Sequence, residues 1–178
     1  MTENKHPYSS RKYEIVPYDP NWVNQFEDLK LKIQTVFKSS QIEHIGSTSV
    51  PGMSGKPCID VLVTVDDIKE VENHVTGMEN LGMEYAGEFV MKDSRLFRVM
   101  KNDTLLANIH FFPVGHTHNK EMLNMRDYLR ANPEEVTQYS ELKQDLYMKY
   151  KDDYASYRKY KDEYMDKLKG RVSGFYFK

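Results

Sequence analysis

Apolar residues recur at Trp22, Phe26, Leu29, Ile33 and Val36 or Phe37, and this three-and-four spacing predicts an amphipathic helix. Asp19-Pro20 is placed to cap its start, and Ser39-Ser40 to end it. The period then changes. Residues 42–45 and 58–65 are short apolar runs of strand length, separated by GSTSVPGMSGKP. A second helical stripe of Ile68, Val71, Val75 and Met78 follows Asp66-Asp67 and is closed by Gly82. Residues 83–90, 95–101 and 105–112 read as three strands, with Asn102-Asp103 as a hairpin turn between the last two. Pro113 and Gly115 stop the sheet. From about Asn119 the pattern is helical, with breaks at Asn132-Pro133 and near Asp152-Asp153. Strands first, with helices around and after them, predict an α+β fold: a mixed sheet with flanking helices and a helical C-terminal third. The expected organisation is a mobile tail over 1–12 and a single domain over 13–178, its sheet part at about 13–115 and its helical part at about 116–178.

Composition changes this picture little. The chain of 178 residues is long enough to bury a core, and its formal charge of −2 offers no whole-molecule attraction to nucleic acid or to an anionic membrane. No apolar run approaches the roughly 18–20 residues that span a bilayer. The start, MTENKHPYSSRKY, lacks the apolar core of a secretory signal, and the lone Cys58 has no internal disulfide partner. The expected setting is the reducing cytoplasm. Thirteen tyrosines are the compositional oddity, most of them in the last third. Tyr147, Tyr150, Tyr154, Tyr157 and Tyr164 follow helical spacing with Leu168, which favours core packing over a stacking platform for RNA, because Asp152, Asp153, Asp162, Glu163 and Asp166 dilute the interleaved basic residues.

Candidate chemistry concentrates in the stretch IEHIGSTSVPGMSGKPCIDVLV at 42–63. Gly46 lets the backbone approach a ligand, Ser47, Thr48 and Ser49 offer hydroxyls, and successive amides can form an anion-binding nest. Lys56 adds a positive charge. Asp60, at the start of the next strand, can hold a divalent metal that bridges to phosphate oxygens. The plainer alternative is turn chemistry with a strand-edge aspartate satisfied by backbone donors. The pattern is not the GxxxxGK[ST] phosphate loop.

Gly46-Ser47 followed by a strand aspartate resembles the nucleotidyltransferase superfamily, in which a Gly-Ser turn precedes Asp-x-Asp or Asp-x-Glu. DPNW at 19–22, the 42–63 string and MRDYLRANPEE at 125–135 resemble more narrowly the GrpB family, a bacterial branch of that superfamily, over about 13–168. The resemblance implies a nucleotidyltransferase-like sheet. It also exposes a departure. Residues 60, 62 and 64 share a strand face, so the superfamily's second carboxylate falls at Leu62, which cannot ligate a metal. GrpB-like sequences share this apolar position.

Other residues then become candidates. Asn108 and His110 are two apart on one strand face, where GrpB-like proteins tend to carry His-x-His; both are candidate metal ligands beside Asp60, and a single core histidine is the alternative. His44, within the HIGST string, is a candidate for the same pocket. Arg98, on the face opposite Arg95, and Arg126, i−4 to Arg130 on a helix, are candidates for phosphate, with surface pairing and helix–sheet bridging as their alternatives. Lys161 lies in a Tyr-x-x-x-Lys string that GrpB-like tails share. His116 and His118 read as solvated.

The sequence therefore predicts a protein that binds a nucleoside triphosphate with magnesium or manganese and transfers a nucleotidyl group to an acceptor that the residues do not identify. Asp60 and His110 are the catalytic candidates. His44, Gly46, Ser47, Thr48, Lys56, Arg98, Arg126 and Lys161 are the phosphate or substrate candidates, and Asp60, Asn108 and His110 the metal candidates. The partner is a small nucleotide or phosphate ligand, with no membrane and no nucleic acid. Leu62 keeps open a non-catalytic nucleotide- or phosphometabolite-binding module, and a partner-binding scaffold is the third reading.

Overall fold

The first helix begins where Asp19 offers its carboxylate to the free Asn21 amide, 2.9 Å away. In the computed structural model, which describes residues 13–88 and 91–176, this helix is α1 (Asn21–Val36). The expected tail at 1–12 lies outside the described residues. The stripe seen in the sequence is the packing face: Trp22, Phe26 and Ile33 are buried, as is Phe37 just beyond the helix. Five strands follow in one sheet: β1 (Gln41–Ile45), β2 (Ile59–Val65), β3 (Glu84–Gly87), β4 (Arg95–Lys101) and β5 (Thr104–Pro113), in spatial order β1-β2-β5-β4-β3. The central pair β2/β5 is parallel, and the other pairs are antiparallel.

Two elements differ from the sequence pattern. The second helix is broken into α2 (Glu70–Asn73) and α3 (Val75–Glu79), because His74 leaves helical geometry and sets its ring edge-on to Phe37, 5.0 Å between centroids. Val71 and Met78 still reach the core. The strand expected from residue 83 is described only over Glu84–Gly87, where Gly87 adopts φ 72° and the register with β4 slips; residues 89 and 90 lie outside the description. The Asn102-Asp103 turn has positive φ at both residues, as the hairpin signal requires.

The sheet separates two packing environments. Val61, Val63, Ile109, Phe111 and Phe97 face α1–α3 and form the main core. On the opposite face Ile45, Leu62 and Phe112 meet Met122 and Leu123 of α4 (Thr117–Ala131). Then come α5 (Pro133–Tyr150), which starts at a proline whose missing N–H costs nothing there, and α6 (Tyr154–Tyr176), whose first turn is capped by Asp153 through Ser156. The tyrosine stripe is largely core: Tyr154, Tyr157 and Leu168 are buried, and Tyr13 inserts among Tyr147, Tyr154 and Tyr157 at 4.8–5.3 Å between ring centroids. No helix of the described residues is long and apolar enough to cross a membrane.

Candidate functional site

Residues 46–56 leave β1 as a turn of 3₁₀ helix at Ser47–Ser49 and return to β2. The structure holds this polar loop firmly. Val50 and Met53 are buried among α4, α5 and α6 residues such as Leu129, Val136, Tyr139 and Leu168. Arg130 donates twice to the Ser49 carbonyl, Ser140 Oγ accepts from the Ser54 amide, and Gln144 donates to Ser54 Oγ. Val16 and Gly55 exchange both backbone hydrogen bonds on the other side. The apolar residues of the loop and these hydrogen bonds together bind it to the helices, and they leave Gly46 and Ser47 at the surface it presents.

Asp60 lies opposite Ile45 on one side and Asn108 on the other, and Asn108 in turn opposite Arg98. One register row thus carries Asp60, Asn108 and Arg98 on the same face of the sheet. Asn108 Nδ2 donates to Asp60 Oδ1 at 3.0 Å, and His110 Nε2 stands 3.7 Å from the same oxygen. The Asp60 side chain keeps 31% of its exposure and His110 17%. Burial alone would raise the Asp60 pKa; the hydrogen bond and charge of His110, the Asn108 amide and the charge of Lys56 outweigh it and hold the carboxyl below its ordinary value. A Cβ on Gly46 would fall 2.6 Å from Asp60 Oδ2, and Gly46 has φ 72°, so only glycine lets the loop lie against this carboxylate.

Lys143 of α5 is the residue that the sequence reading missed. It is 2% exposed, donates to Ser47 Oγ at 3.0 Å and to the Ser54 carbonyl, and sits over the Tyr139 ring at 4.4 Å. Burial, then the charges of Lys161 and Lys56, lower its pKa from 10.5 to about 7. Gly55 makes room for Ser47, since a Cβ there would meet Ser47 Cβ at 2.8 Å. The signal was present in the sequence: Val136, Tyr139, Ser140 and Lys143 are i, i+3, i+4 and i+7, which puts a lysine on a buried stripe. Lys56 donates to the Tyr154 hydroxyl at 2.8 Å, and Lys161 pairs with Asp162 at 2.6 Å.

Several other candidates sit elsewhere. His44 pairs with Val61 in the sheet and stacks on Phe26 of α1 at 4.6 Å, so it faces away from Asp60. Its Nε2 and the buried Thr48 hydroxyl bond to each other at 2.9 Å, which directs Thr48 to that side as well. Arg126 bridges helix and sheet, donating to Glu43 at 2.8 Å, to Asp127 at 2.7 Å and to the His44 carbonyl. Arg95, on the other face from Arg98, pairs with Glu72 and Glu88. His116 and His118 are not simply solvated: His116 caps α4 through the His118 amide, and both rings lie against Phe112.

A cleft of about 830 Å³ opens between this face of the sheet, α4 and α6, with Gly46, Ser47, Asp60 and His110 at one end. As metal donors the residues are sparse. Among the described residues no group of three or more His, Cys, Asp or Glu forms a cage, Leu62 is fully buried, and Asn108 turns its amide nitrogen to Asp60. Among the described residues this row of the sheet thus offers one carboxylate, Asp60, with an amide and an imidazole beside it.

Comparison with known proteins matches residues 12–171 to the family model described as GrpB protein. A UPF0157 protein of Halalkalibacterium halodurans is 36% identical over 134 residues, covering 74% of this chain and 68% of the relative. The UPF0157 protein YqkA of Bacillus subtilis is 34% identical over 154 residues, covering 85% of this chain but only 45% of its own length. The crystal structure of the conserved protein GrpB from Enterococcus faecalis superposes with a TM-score of 0.87 at 33% identity, over 93% of this chain and all of that one. Cid1 poly(U) polymerase, solved with Mg 3'-dATP, superposes with a TM-score of 0.53 at 11% identity, over 73% of this chain and 41% of Cid1. That likeness is one of fold.

Proposed function

Because the chain belongs to the GrpB family and has a nucleotidyltransferase-like fold, we propose that it binds a nucleoside triphosphate on the 46–56 loop with a divalent cation at Asp60, and transfers a nucleotidyl group to an acceptor. The observation that carries this reading is the convergence of Lys143, Lys56 and Lys161 on the Ser47 side of the loop, around a serine hydroxyl to which Lys143 already donates. Burial first, and then the charges of Lys161 and Lys56, disfavour the charged form of Lys143, and a bound polyanion would offset that cost. Ser47 and the loop amides would line the phosphates and the lysines would neutralise them. Asp60 would hold magnesium together with phosphate oxygens, and the bound ion would supply charge neutralisation at the reacting phosphate. His110 and Asn108 would orient the carboxylate. Catalysis would then be positioning and electrostatics.

A second reading has its own observation. Leu62 stands fully buried where a second carboxylate would be needed, and it belongs to the packing between sheet and α4. That favours binding of the nucleotide without transfer.

Calorimetric titration with ATP, GTP, UTP and CTP, with and without magnesium, tests both. Binding is expected for at least one nucleotide, and Lys143→Met should weaken it about tenfold to a hundredfold whether or not magnesium is present, the loss of charged hydrogen bonds worth roughly 1.5–3 kcal/mol. No binding by any of the four, or equal binding by wild type and Lys143→Met, removes the phosphate site. Release of pyrophosphate in the presence of an acceptor separates transfer from binding alone.

A further inference from the structure

Two chemically opposite surfaces meet at Gly46 and Ser47. On one side stand Lys143, Lys56 and Lys161. On the other lies the 830 Å³ cleft, whose wall is built from Met53, Met122, Met125, Met165, Leu129 and Val172, with none of the three lysines in its lining. Tyr139 divides the two: Lys143 lies over its ring at 4.4 Å, while the same side chain lines the cleft. A triphosphate is the wrong occupant for this apolar wall, because its oxygens would lose water against methionine, leucine and valine side chains. The volume is that of a site for a whole small molecule. Four methionines give an unbranched, polarisable wall that adapts to the shape of an apolar body.

The polar end of the cleft is equally selective. Asp60 and His110 stand there, and the carboxylate repels an anionic head while accepting a hydrogen bond from a hydroxyl or an amine. Of the basic side chains that line the cleft beside Lys120, Arg126 is paired with Glu43 and Asp127 and Lys169 with Asp166, while the His118 ring meets the Glu121 carboxylate.

We infer that the cleft is the site of a second ligand, a small molecule with an apolar body and a hydrogen-bond-donating, non-anionic head that reaches Asp60. Resting on the nucleotide reading above, the inference assigns the class of the acceptor: an apolar alcohol or amine, held with its head beside the loop that carries the triphosphate.

The test uses the full chain with methyl-labelled methionine and three probes of one shape, 2-phenylethylamine, 2-phenylethanol and phenylacetate. The signals of Met53, Met122, Met125 and Met165 should shift on titration with the amine and the alcohol and stay in place with phenylacetate. Asp60→Asn should weaken the amine about tenfold more than the alcohol, the difference of one charged hydrogen bond. Met165→Lys should abolish the shifts at Met53, Met122 and Met125 while the remaining methionine signals, which report the fold, keep their positions. Saturation with magnesium-ATP should leave the alcohol bound and weaken the amine, whose charged head meets the cation at Asp60. Displacement of the alcohol by ATP would make the cleft part of the nucleotide site and overturn the inference, as would tighter binding of phenylacetate or an absence of shifts with all three. If ATP fails to bind but the amine and alcohol still do, the cleft stands as a ligand site and the nucleotide reading alone falls.

Discussion

Gly46, Asp60 and Lys143 form the smallest unit that explains the loop. Gly46 combines a left-handed φ with a Cβ position 2.6 Å from Asp60 Oδ2. Gly46→Ala should therefore cost about 1–3 kcal/mol of stability from backbone strain alone and push the carboxylate out of place, visible as a lower urea midpoint and a loss of magnesium-dependent nucleotide binding. Asp60→Asn keeps the shape and removes the charge; calorimetry should show the magnesium-dependent part of nucleotide binding gone while the part without metal survives, and equal magnesium dependence in the two proteins would take Asp60 out of the metal site. Lys143 makes a prediction in pH. Its ordinary pKa is 10.5 and its folded value about 7, so between these the unfolded chain holds a proton that the folded one has lost. Stability contributed by this group rises with pH through that window and is lost as pH falls towards 7. Urea unfolding at pH 7.5 and 9 should show this rise in wild type, and it should be missing in Lys143→Met.

Elements on the α4–α6 side decide whether the site exists at all. Ile45, Leu62 and Phe112 are covered by Met122 and Leu123, so a chain ending at Gly115 should expose this face and melt without a cooperative transition in circular dichroism; a fragment as stable as the whole would show that the sheet part stands alone. Within the helical part, Arg171 and the Tyr164 hydroxyl both bond the Glu135 carboxylate and tie α6 to α5. Arg171 is partly exposed, so Arg171→Ala should cost only about 1 kcal/mol, read as faster amide exchange in α6 with the sheet amides unchanged. The strands, the hairpin and the three long helices were legible because each repeats one period over enough residues to be unambiguous. The break at His74 was not, since a single ring packing on Phe37 interrupts an otherwise continuous stripe. In the site, Asp60, Asn108 and His110 were legible from alternation and resemblance. His44 was misdirected: its string pointed to the pocket, but antiparallel pairing with β2 placed it opposite Val61 and on the other face. Lys143 escaped because a lysine on a helix reads as solvated unless the whole buried stripe is followed through it.

Taken as one body, the molecule sets its main core on one side of its sheet and a smaller apolar cluster beside the Asp60 row on the other, and an expected acid sensitivity follows from that division. His44 belongs to the core side. Burial first, then the charges of Arg130 and Arg126, lower its pKa from 6.5 to about 4, although Asp60 acts in the opposite sense. The unfolded chain protonates this imidazole near 6.5 and the folded one only near 4, so stability is lost as pH falls through that interval. Asp60, held below its ordinary 3.8, adds a loss at still lower pH. The drop in melting temperature from pH 6.5 to 4.5 should shrink in His44→Phe and persist in Asp60→Asn. The parallel pairing of β2 with β5 carries a different consequence. Asp60 and Asn108 are 48 residues apart in the chain, and β3, β4 and the start of β5 lie between them in sequence. Hairpins close over short loops, whereas this central ladder closes over a long one. The row that carries the site is therefore assembled late on the way to the native state: during refolding, amides of the β4–β5 hairpin should gain protection from exchange before those of β2, and nucleotide should be bound only once the slower step is complete.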